Sequence, residues 1–303
     1  MLLYYYTNID DLERILSNNR QGDPCVRLKL KHRSAVSDGF YNVFVRYILP
    51  ECIEKIETEL CVDERSSLMP LFQNMPFMEA VFKAGRNFDE RNTGIAQFVL
   101  SLYEDIDNLD LWLRYGGSGR GISIGLDTDK LNLPFGQVFN FYIRKCVYWP
   151  KGISNPTLQI NIPKDVYDEI KNMYQSSTTP KVVEAFKKLY EHDTPEFALT
   201  QRIKETLLHN LINTFDLFHK SDDWAGEKEH RMTTGAMSHE ISYEKNAFGD
   251  YEPFVEIEFP IEVMKTIVIG PRCGKNAYGM VQSLLFKNQI KEKIQVLNSN
   301  CMM

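Results

Sequence analysis

The chain has 303 residues, of which 43% are hydrophobic and 25% are charged, and its formal net charge is -6 at pH 7. This length and balance predict a folded protein with a large core and argue against a disordered chain. The excess of acidic residues also argues against non-specific binding of duplex nucleic acid through bulk charge.

Targeting and metal-binding signals are missing from the sequence. No apolar run approaches the roughly 20 residues that span a bilayer, and acidic residues stand near the start where a signal peptide would carry lysines. The six cysteines form no C-x-x-C pair, and the six histidines have no metal-binding spacing. We therefore predict a cytoplasmic protein with free thiols, no membrane contact and no metal site.

Apolar periodicity and capping residues predict the elements of the first half in chain order. These are a strand at 2–6, a helix after an N-cap at Asn8, a strand at 27–31, a helix over 37–60 with a break at Pro50, helix and loop over 61–92, a strand at 96–103, a helix capped by Asp107, and a strand at 122–126.

The second half begins with a long β candidate and then becomes almost wholly helical. Its predicted elements are β structure over 137–149, helices over 163–220 with caps near Lys164, Thr179 and Thr194, strands at 227–233, 254–259 and 266–269, a helix over 276–287, and a strand at 294–297. Strands and helices without regular alternation favour the α+β class. We predict one domain over 1–303 with a mostly helical insertion at about 155–219, which makes partner or substrate contacts.

The most informative segment runs from Lys220 to Met232 and contains E-x-E-x-R. A strand that begins at Glu227 would place Glu227, Glu229 and Arg231 on one face. Both faces of that strand would be polar, which is unusual for a core strand and indicates either a cleft or an exposed edge. The alternatives are a ligand site and a salt-bridged edge strand whose charges oppose aggregation.

A second segment, from Trp112 to Leu126, is rich in glycine. Its glycines lie between a predicted helix and a predicted strand, which is the wrong order for a Rossmann fingerprint or a P-loop. A helix C-cap followed by a tight turn explains them as well as a loop that cradles a ligand.

These segments resemble a family of bacterial and phage-associated proteins of unknown function. The resemblance covers nearly the whole chain and rests on ordered blocks: Y-x-Y-T (Tyr4, Tyr6, Thr7), L-x-x-I-L (Leu12, Ile15, Leu16), a strand ending at Ser101, W-x-x-Y and G-x-x-I-G (Trp112, Tyr115, Gly121, Ile124, Gly125), K-x-x-x-W-x-x-E-x-E-x-R (Lys220, Trp224, Glu227, Glu229, Arg231), and I-x-I-G-P (Ile267, Ile269, Gly270, Pro271).

That family in turn resembles the ADP-ribosyltransferase superfamily, through its opening strand and its E-x-E. The resemblance implies a split mixed or antiparallel sheet with flanking helices. It implies NAD as substrate, with ADP-ribose transferred to a protein or nucleic acid, in a toxin or anti-phage effector that an antitoxin or phage protein could bind. Tyr5 stands where such proteins usually carry a histidine.

The resemblance also implies roles for individual residues. Glu229 would stabilise the oxocarbenium-like state that forms when the bond between nicotinamide and ribose breaks, and Glu227 would orient or deprotonate the acceptor. The residues expected to bind NAD are Tyr5, Tyr6, Thr7, Ser101, Tyr115, Gly121 and Arg231.

Two other classes of function stay open on the sequence. A binding or sensor module would recognise a nucleotide or a phage component without turnover, and the tyrosine at position 5 favours it. A nuclease would use Glu227, Glu229 and Lys220 together with a divalent cation.

Overall fold

A computed structural model describes residues 1–18, 22–35, 43–64, 66–74, 76, 78, 95–131, 134, 139–149, 162–177, 196–245 and 249–302. The chain divides into two compact units. The sheet unit contains Met1–Val36, Asp89–Cys146 and Trp224–Met303, and the helical unit contains Ser37–Phe88 and Val147–Asp223. The single domain with one insertion stays a prediction.

The sheet unit is built on a sheet of eleven strands among its described residues. The strands are β1 (Leu2–Thr7), β2 (Leu16–Asn18), β3 (Pro24–His32), β4 (Ile95–Tyr103), β5 (Ile122–Asp127), β6 (Phe139–Lys145), β9 (Glu229–Met237), β10 (Ser242–Lys245), β11 (Tyr251–Pro260), β12 (Met264–Ile269) and β13 (Gln295–Asn298). The main path of the sheet runs in the order β10-β11-β3-β4-β1-β5-β12-β13, with β2 beside β3, β9 beside β4, and β6 beside β9.

Only the β12–β13 pair is parallel among the described strands of this sheet, and the other pairs are antiparallel. The prediction of a mixed α and β fold with a mixed sheet is therefore confirmed. Alternation along the strands sends side chains such as Leu28, Phe98 and Ile124 into one large core. Val281 and Leu285 of the helix Ala277–Lys287 are fully buried in the same core.

The helices of this unit are short apart from Ala277–Lys287. They are a 3-10 turn at Ile9–Asp11 followed by Leu12–Ile15, the helix Leu109–Arg114, and the helix Thr128–Leu131. Asn8 occupies the N-cap position of the first turn in an extended conformation, as predicted, but its side chain makes no capping hydrogen bond.

Strand β4 is joined to its neighbours unevenly. Along one side it pairs with β9 over its whole length. On the other side it pairs with β3 at Phe98 and Val99, and with β1 at the single pair Tyr4↔Tyr103. Residues 100–102 of this fully described strand therefore have no ladder partner on that side, and a gap opens between β1, β3 and β4.

The helix after β4 is capped by Asn108, so the predicted cap at Asp107 is wrong. Asn108 has extended backbone angles, and its side-chain oxygen accepts a hydrogen bond from the amide of Leu111. The Asp107 carboxylate accepts hydrogen bonds from the indole N–H of Trp112 and the hydroxyl of Ser299, at 2.6 Å each. Burial opposes ionisation of Asp107, but these hydrogen bonds outweigh it and lower its pKa.

The helical unit packs its helices around a separate core. Its described elements are a π-helix at Phe44–Ile48, the helices Leu49–Glu59, Met69–Gln73, Lys164–Ser177 and Glu196–Phe215, and a two-stranded parallel sheet of β7 (Val147–Trp149) and β8 (His219–Ser221). Phe44, Ile53, Ile170 and Leu208 are fully buried in this core.

Four predictions that involve this unit need correction or comment. The helical hydrogen-bond pattern changes just before Pro50, as expected from its missing N–H, and Pro50 lies in the first turn of Leu49–Glu59. The described part of the β candidate over 137–149, residues 139–149, contains two strands in two different sheets, and Lys220 lies in β8 rather than in a helix. The predicted caps at Thr179 and Thr194 lie outside the described residues.

Within the described parts of the chain, no helix combines the length and apolar character needed to cross a membrane.

Candidate functional site

The later part of the E-x-E-x-R segment, Glu229 to Arg231, forms the start of β9, which is an interior strand. It pairs with β4 on one side and β6 on the other, and its residues are buried from Glu229 to Ala236. The alternative of an exposed edge strand is therefore wrong. Glu229 and Arg231 tolerate burial because they pair with each other, and Glu229 also accepts a hydrogen bond from Ser101 of β4.

Glu229 and Arg231 form a buried ion pair, with Glu229 2% exposed and Arg231 4% exposed. Arg231 Nε donates to Glu229 Oε1 at 2.9 Å, and its Nη2 lies 3.4 Å from Oε2. The hydroxyl of Ser101, on the neighbouring β4, also donates to Glu229 Oε1 at 2.5 Å. Charge-assisted hydrogen bonds of this kind fix the orientation of the carboxylate.

Glu227 does not lie in the strand to which the sequence assigned it. It ends the 3-10 segment Asp222–Glu227, outside β9, so it does not share a strand face with Glu229 by the two-residue period. Lys228 between them has φ 47°, a left-handed conformation that costs a side chain roughly 1–2 kcal/mol. The bend places the buried Glu227 carboxylate at 2.7 Å from the hydroxyl of Tyr115, which donates to it.

Tyr103 and Tyr115 stack beside these carboxylates, with ring centroids 5.1 Å apart and an interplanar angle of 21°. Burial, followed by the negative charge of Glu229, raises the pKa of Tyr103 well above its usual value. Burial and the hydrogen bond to Glu227 likewise raise the pKa of Tyr115. Both phenols therefore stay protonated near neutral pH, and Tyr115 remains 37% exposed.

A cavity of about 670 Å³ occupies the gap between β1, β3 and β4, within the sheet unit. Its size lies in the range of small-molecule sites. Its lining includes four tyrosines, two hydroxyl residues, five cations and three carboxylates: Tyr5, Tyr6, Tyr103, Tyr115; Thr7, Ser101; Arg14, Lys29, Lys31, Arg114, Lys245; Asp11, Glu244, Glu252.

Most of the predicted site residues meet at this cavity. Tyr5, Tyr6, Thr7, Ser101 and Tyr115 line it. Among the described residues, neither Glu227 nor Glu229 is part of the lining. Each is one hydrogen bond away from it, through Tyr115 and Ser101. Arg231 is reached in turn through Glu229.

Gly121 lies elsewhere, in tight backbone packing. A Cβ atom there would stand 2.1 Å from the carbonyl oxygen of Thr7, and its own carbonyl accepts a hydrogen bond from the amide of Gly270. The loop before it contains the left-handed residues Gly117, Ser118 and Gly119. These contacts show a glycine needed for close approach between a loop and β1.

The sequence reasoning missed Tyr103, Arg114, Lys29 and Lys31 as cavity residues. Tyr103 follows Ser101 by two positions on the same strand, so alternation could have found it. Lys29 and Lys31 alternate with the core residues of β3 in the same way. No local sequence pattern indicated Arg114. Its guanidinium lies 4.5 Å from the ring centroid of Trp224, a residue far away in the chain.

The nuclease hypothesis gains no support from the described residues. Within them, no three His, Cys, Asp or Glu side chains come together in a way that could hold a metal ion.

Comparison with protein families finds a match over part of the chain. Residues 111–232 match the family described as "Protein of unknown function (DUF2971)", a stretch that includes Tyr115, Glu227, Glu229 and Arg231. Searches among curated proteins and solved structures found no match. The chain thus resembles a domain of unknown function over residues 111–232, whereas the predicted resemblance covered nearly the whole chain.

Proposed function

We propose that the sheet unit binds NAD in this cavity and transfers its ADP-ribose to a macromolecular acceptor, in the manner of an ADP-ribosyltransferase. One observation carries the proposal. Ser101, a residue of the cavity wall, donates a hydrogen bond of 2.5 Å to the buried carboxylate of Glu229. A ligand in the cavity would therefore lie one hydroxyl away from a fixed negative charge.

The lining has the chemistry that a dinucleotide needs. Tyrosine rings can stack on the nicotinamide or adenine ring, and Tyr115 is the partly exposed one beside the carboxylates. Cations can bind the two phosphates, and Thr7 and Ser101 can hydrogen-bond the ribose hydroxyls. The volume of about 670 Å³ is sufficient for a ligand of this class.

In the proposed reaction, the bond between ribose C1′ and the nicotinamide nitrogen breaks, and its electron pair leaves with nicotinamide. The ribose becomes cation-like, and the Glu229 carboxylate would stabilise it once Ser101 turns its hydroxyl from Glu229 to the ribose. The acceptor then bonds to C1′. Its proton would pass by way of the Tyr115 hydroxyl to Glu227, the carboxylate that this hydroxyl already contacts.

The test measures nicotinamide release and label transfer from labelled NAD in the presence of cell extract. Wild type is compared with Glu229→Gln, Ser101→Ala and the control Glu258→Gln, whose carboxylate pairs with Arg27. Removing the charge of Glu229 should slow nicotinamide release about 10²–10³-fold, the usual effect of losing one such electrostatic contact. The control should release nicotinamide at the wild-type rate.

Ser101→Ala keeps the test decisive if Glu229→Gln folds poorly, because Ser101 can be removed without leaving a buried charge unpaired. It should slow release, and it should weaken NAD binding by no more than the loss of one neutral hydrogen bond, about 0.5–1.5 kcal/mol. A folded wild-type protein that neither releases nicotinamide nor transfers label would overturn the proposal.

One observation favours a second candidate, a binding or sensor module without catalysis. Glu229 is almost fully buried, and both of its oxygens contact Arg231. A carboxylate held in this way could serve to shape a ligand site. Calorimetry separates the two candidates, because saturable binding of NAD with no release of nicotinamide would identify the binding module.

Three further points stay predictions. They are a protein or nucleic acid as the acceptor, a role as a bacterial toxin or anti-phage effector, and an antitoxin or phage protein as the partner.

A further inference from the structure

The cavity has a charged side at β3, and the proposed function leaves open which of the lining cations bind the phosphates. Lys29 and Lys31 project from β3 into the cavity lining, and Arg14 joins them from the helix Leu12–Ile15. The Lys29 side chain is 14% exposed, and its ammonium lies 4.4 Å from the ring centroid of Phe254. These are three cations on one side of a cavity of small-molecule size.

Two carboxylates that line the cavity, Glu244 of β10 and Glu252 of β11, cover this side. A third, Glu256 of β11, lies outside the lining, and its Oε1 is 2.8 Å from Nη1 of Arg14. Glu244 contacts the ammonium of Lys29, and Glu252 lies 3.7 Å from that of Lys31. Glu244 and Glu252 stand directly opposite each other in the β10–β11 ladder. Like charges at directly opposite positions destabilise a sheet, so this pair depends on the two lysines for compensation.

We propose that Arg14, Lys29 and Lys31 form a phosphate subsite, which Glu244 and Glu252 occupy as internal anions until a phosphate-bearing ligand enters. The ligand class is a pyrophosphate, as in a dinucleotide. The identity of that ligand as NAD rests on the proposed function. The binding of pyrophosphate rests on the charges alone.

The strand from which each residue projects sets the direction of the ligand. Lys29 and Lys31 line the cavity from β3, and Ser101, which contacts Glu229, lines it from β4. The nicotinamide ribose would extend toward Ser101, and the phosphates would lie against β3.

Replacing a lysine and replacing a glutamate of this cluster should change the affinity for pyrophosphate in opposite directions. A lysine to glutamine change removes a charge-assisted hydrogen bond to phosphate and should weaken binding about tenfold. A Glu244→Gln change removes an internal competitor and should strengthen binding about two- to fivefold, the scale of a partly exposed ion pair. If these residues only held β10–β11 in place, all of the changes would act in the same direction.

The probe is inorganic pyrophosphate, titrated by calorimetry into the whole protein at low and at raised salt. The variants are Lys29→Gln, Lys31→Gln and Glu244→Gln, with Lys265→Gln as control, because its ammonium pairs with Asp127 elsewhere on the sheet. Lys31 is 54% exposed, so its replacement should fold normally even if Lys29→Gln does not. Binding should weaken as salt is raised.

The inference holds if pyrophosphate binds, both lysine variants weaken binding, and Glu244→Gln strengthens it, while the control matches wild type. Absence of saturable binding, or equal affinity in Lys31→Gln and the control, would overturn it.

Nicotinamide release separates this failure from failure of the proposed function. Pyrophosphate binding without any turnover of NAD would support the phosphate subsite and contradict the transferase function. Turnover of NAD with an unchanged Michaelis constant in Lys31→Gln would support the transferase function and contradict the subsite.

Discussion

Two buried glutamates, one in each unit, show how differently a protein can use the same side chain. Glu229 in the sheet unit is 2% exposed, and Glu57 in the helical unit is 7% exposed. Glu57 accepts hydrogen bonds from the amide of Leu68 at 2.6 Å and from the hydroxyls of Ser67 and Tyr174 at 2.5 and 3.0 Å. These contacts join a loop and a second helix to the helix Leu49–Glu59.

Burial of a carboxylate is therefore no signal of function by itself. Glu57 is satisfied by neutral donors that hold its own unit together. Glu229 is paired with a guanidinium and is linked by Ser101 to the wall of a cavity. The two glutamates therefore differ in what their hydrogen-bond partners contact in turn. Three predictions test this comparison.

The largest effect is expected for Glu229→Ala. It leaves the guanidinium of Arg231, which is 4% exposed, without its carboxylate, and breaking a buried ion pair in this way costs about 3–5 kcal/mol. Urea denaturation measures the free energy of unfolding, with Glu258→Ala as the surface control. A loss below about 1 kcal/mol would mean that Arg231 finds other partners and that the pair is not essential to the sheet.

Glu57→Gln should have an intermediate effect on stability and none on chemistry. The amide keeps one acceptor oxygen but points N–H groups at donors, so the free energy of unfolding should fall by about 1–3 kcal/mol. Its control is Glu54→Gln on the exposed side of the same helix. Nicotinamide release per folded molecule should equal that of wild type, and a selective loss of that activity would erase the contrast between Glu57 and Glu229.

The smallest effect is expected at Glu104, a carboxylate next to β9 that is partly exposed. The hydrogen bond from Lys145 at 2.6 Å, then that of His230 at 3.0 Å, lowers the pKa of Glu104. A lowered pKa contributes stability that is present above the ordinary glutamate pKa of about 4.3 and is lost as pH falls below it. Glu104→Gln should cost less than about 1 kcal/mol at pH 7.

That difference between wild type and Glu104→Gln should shrink as the pH of the urea experiment is lowered through the range below about 4.3. A difference that grew on acidification would have the wrong sign for a carboxylate with a lowered pKa.

Several strands follow from the sequence because their alternation is local. The predicted strand at 27–31 is the middle of β3 (Pro24–His32), and the prediction at 96–103 differs from β4 (Ile95–Tyr103) by one residue. In both, core residues alternate with residues of the other face, which reports the buried face directly. The start of β3 was not predicted, because Pro24 and Cys25 interrupt the alternation.

The candidate site was only partly predictable. The sequence indicated Glu229, Tyr115 and Ser101, but it assigned Glu227 to the strand and left an exposed edge open for β9. Ser101 lies 128 residues before the glutamate that it contacts. No local pattern reports a partner at that distance.

The sequence alone determined that this is a mixed α and β protein, where many of its strands lie, and which acidic and aromatic residues deserved testing. Tertiary structure decided that β9 is an interior strand, that β1, β3 and β4 leave a gap at residues 100–102, and that the carboxylates of β10 and β11 cover the lysines of β3. The physical reason is that periodicity records only whether a face is apolar. Which polar groups satisfy one another depends on the pairing of strands far apart in the chain.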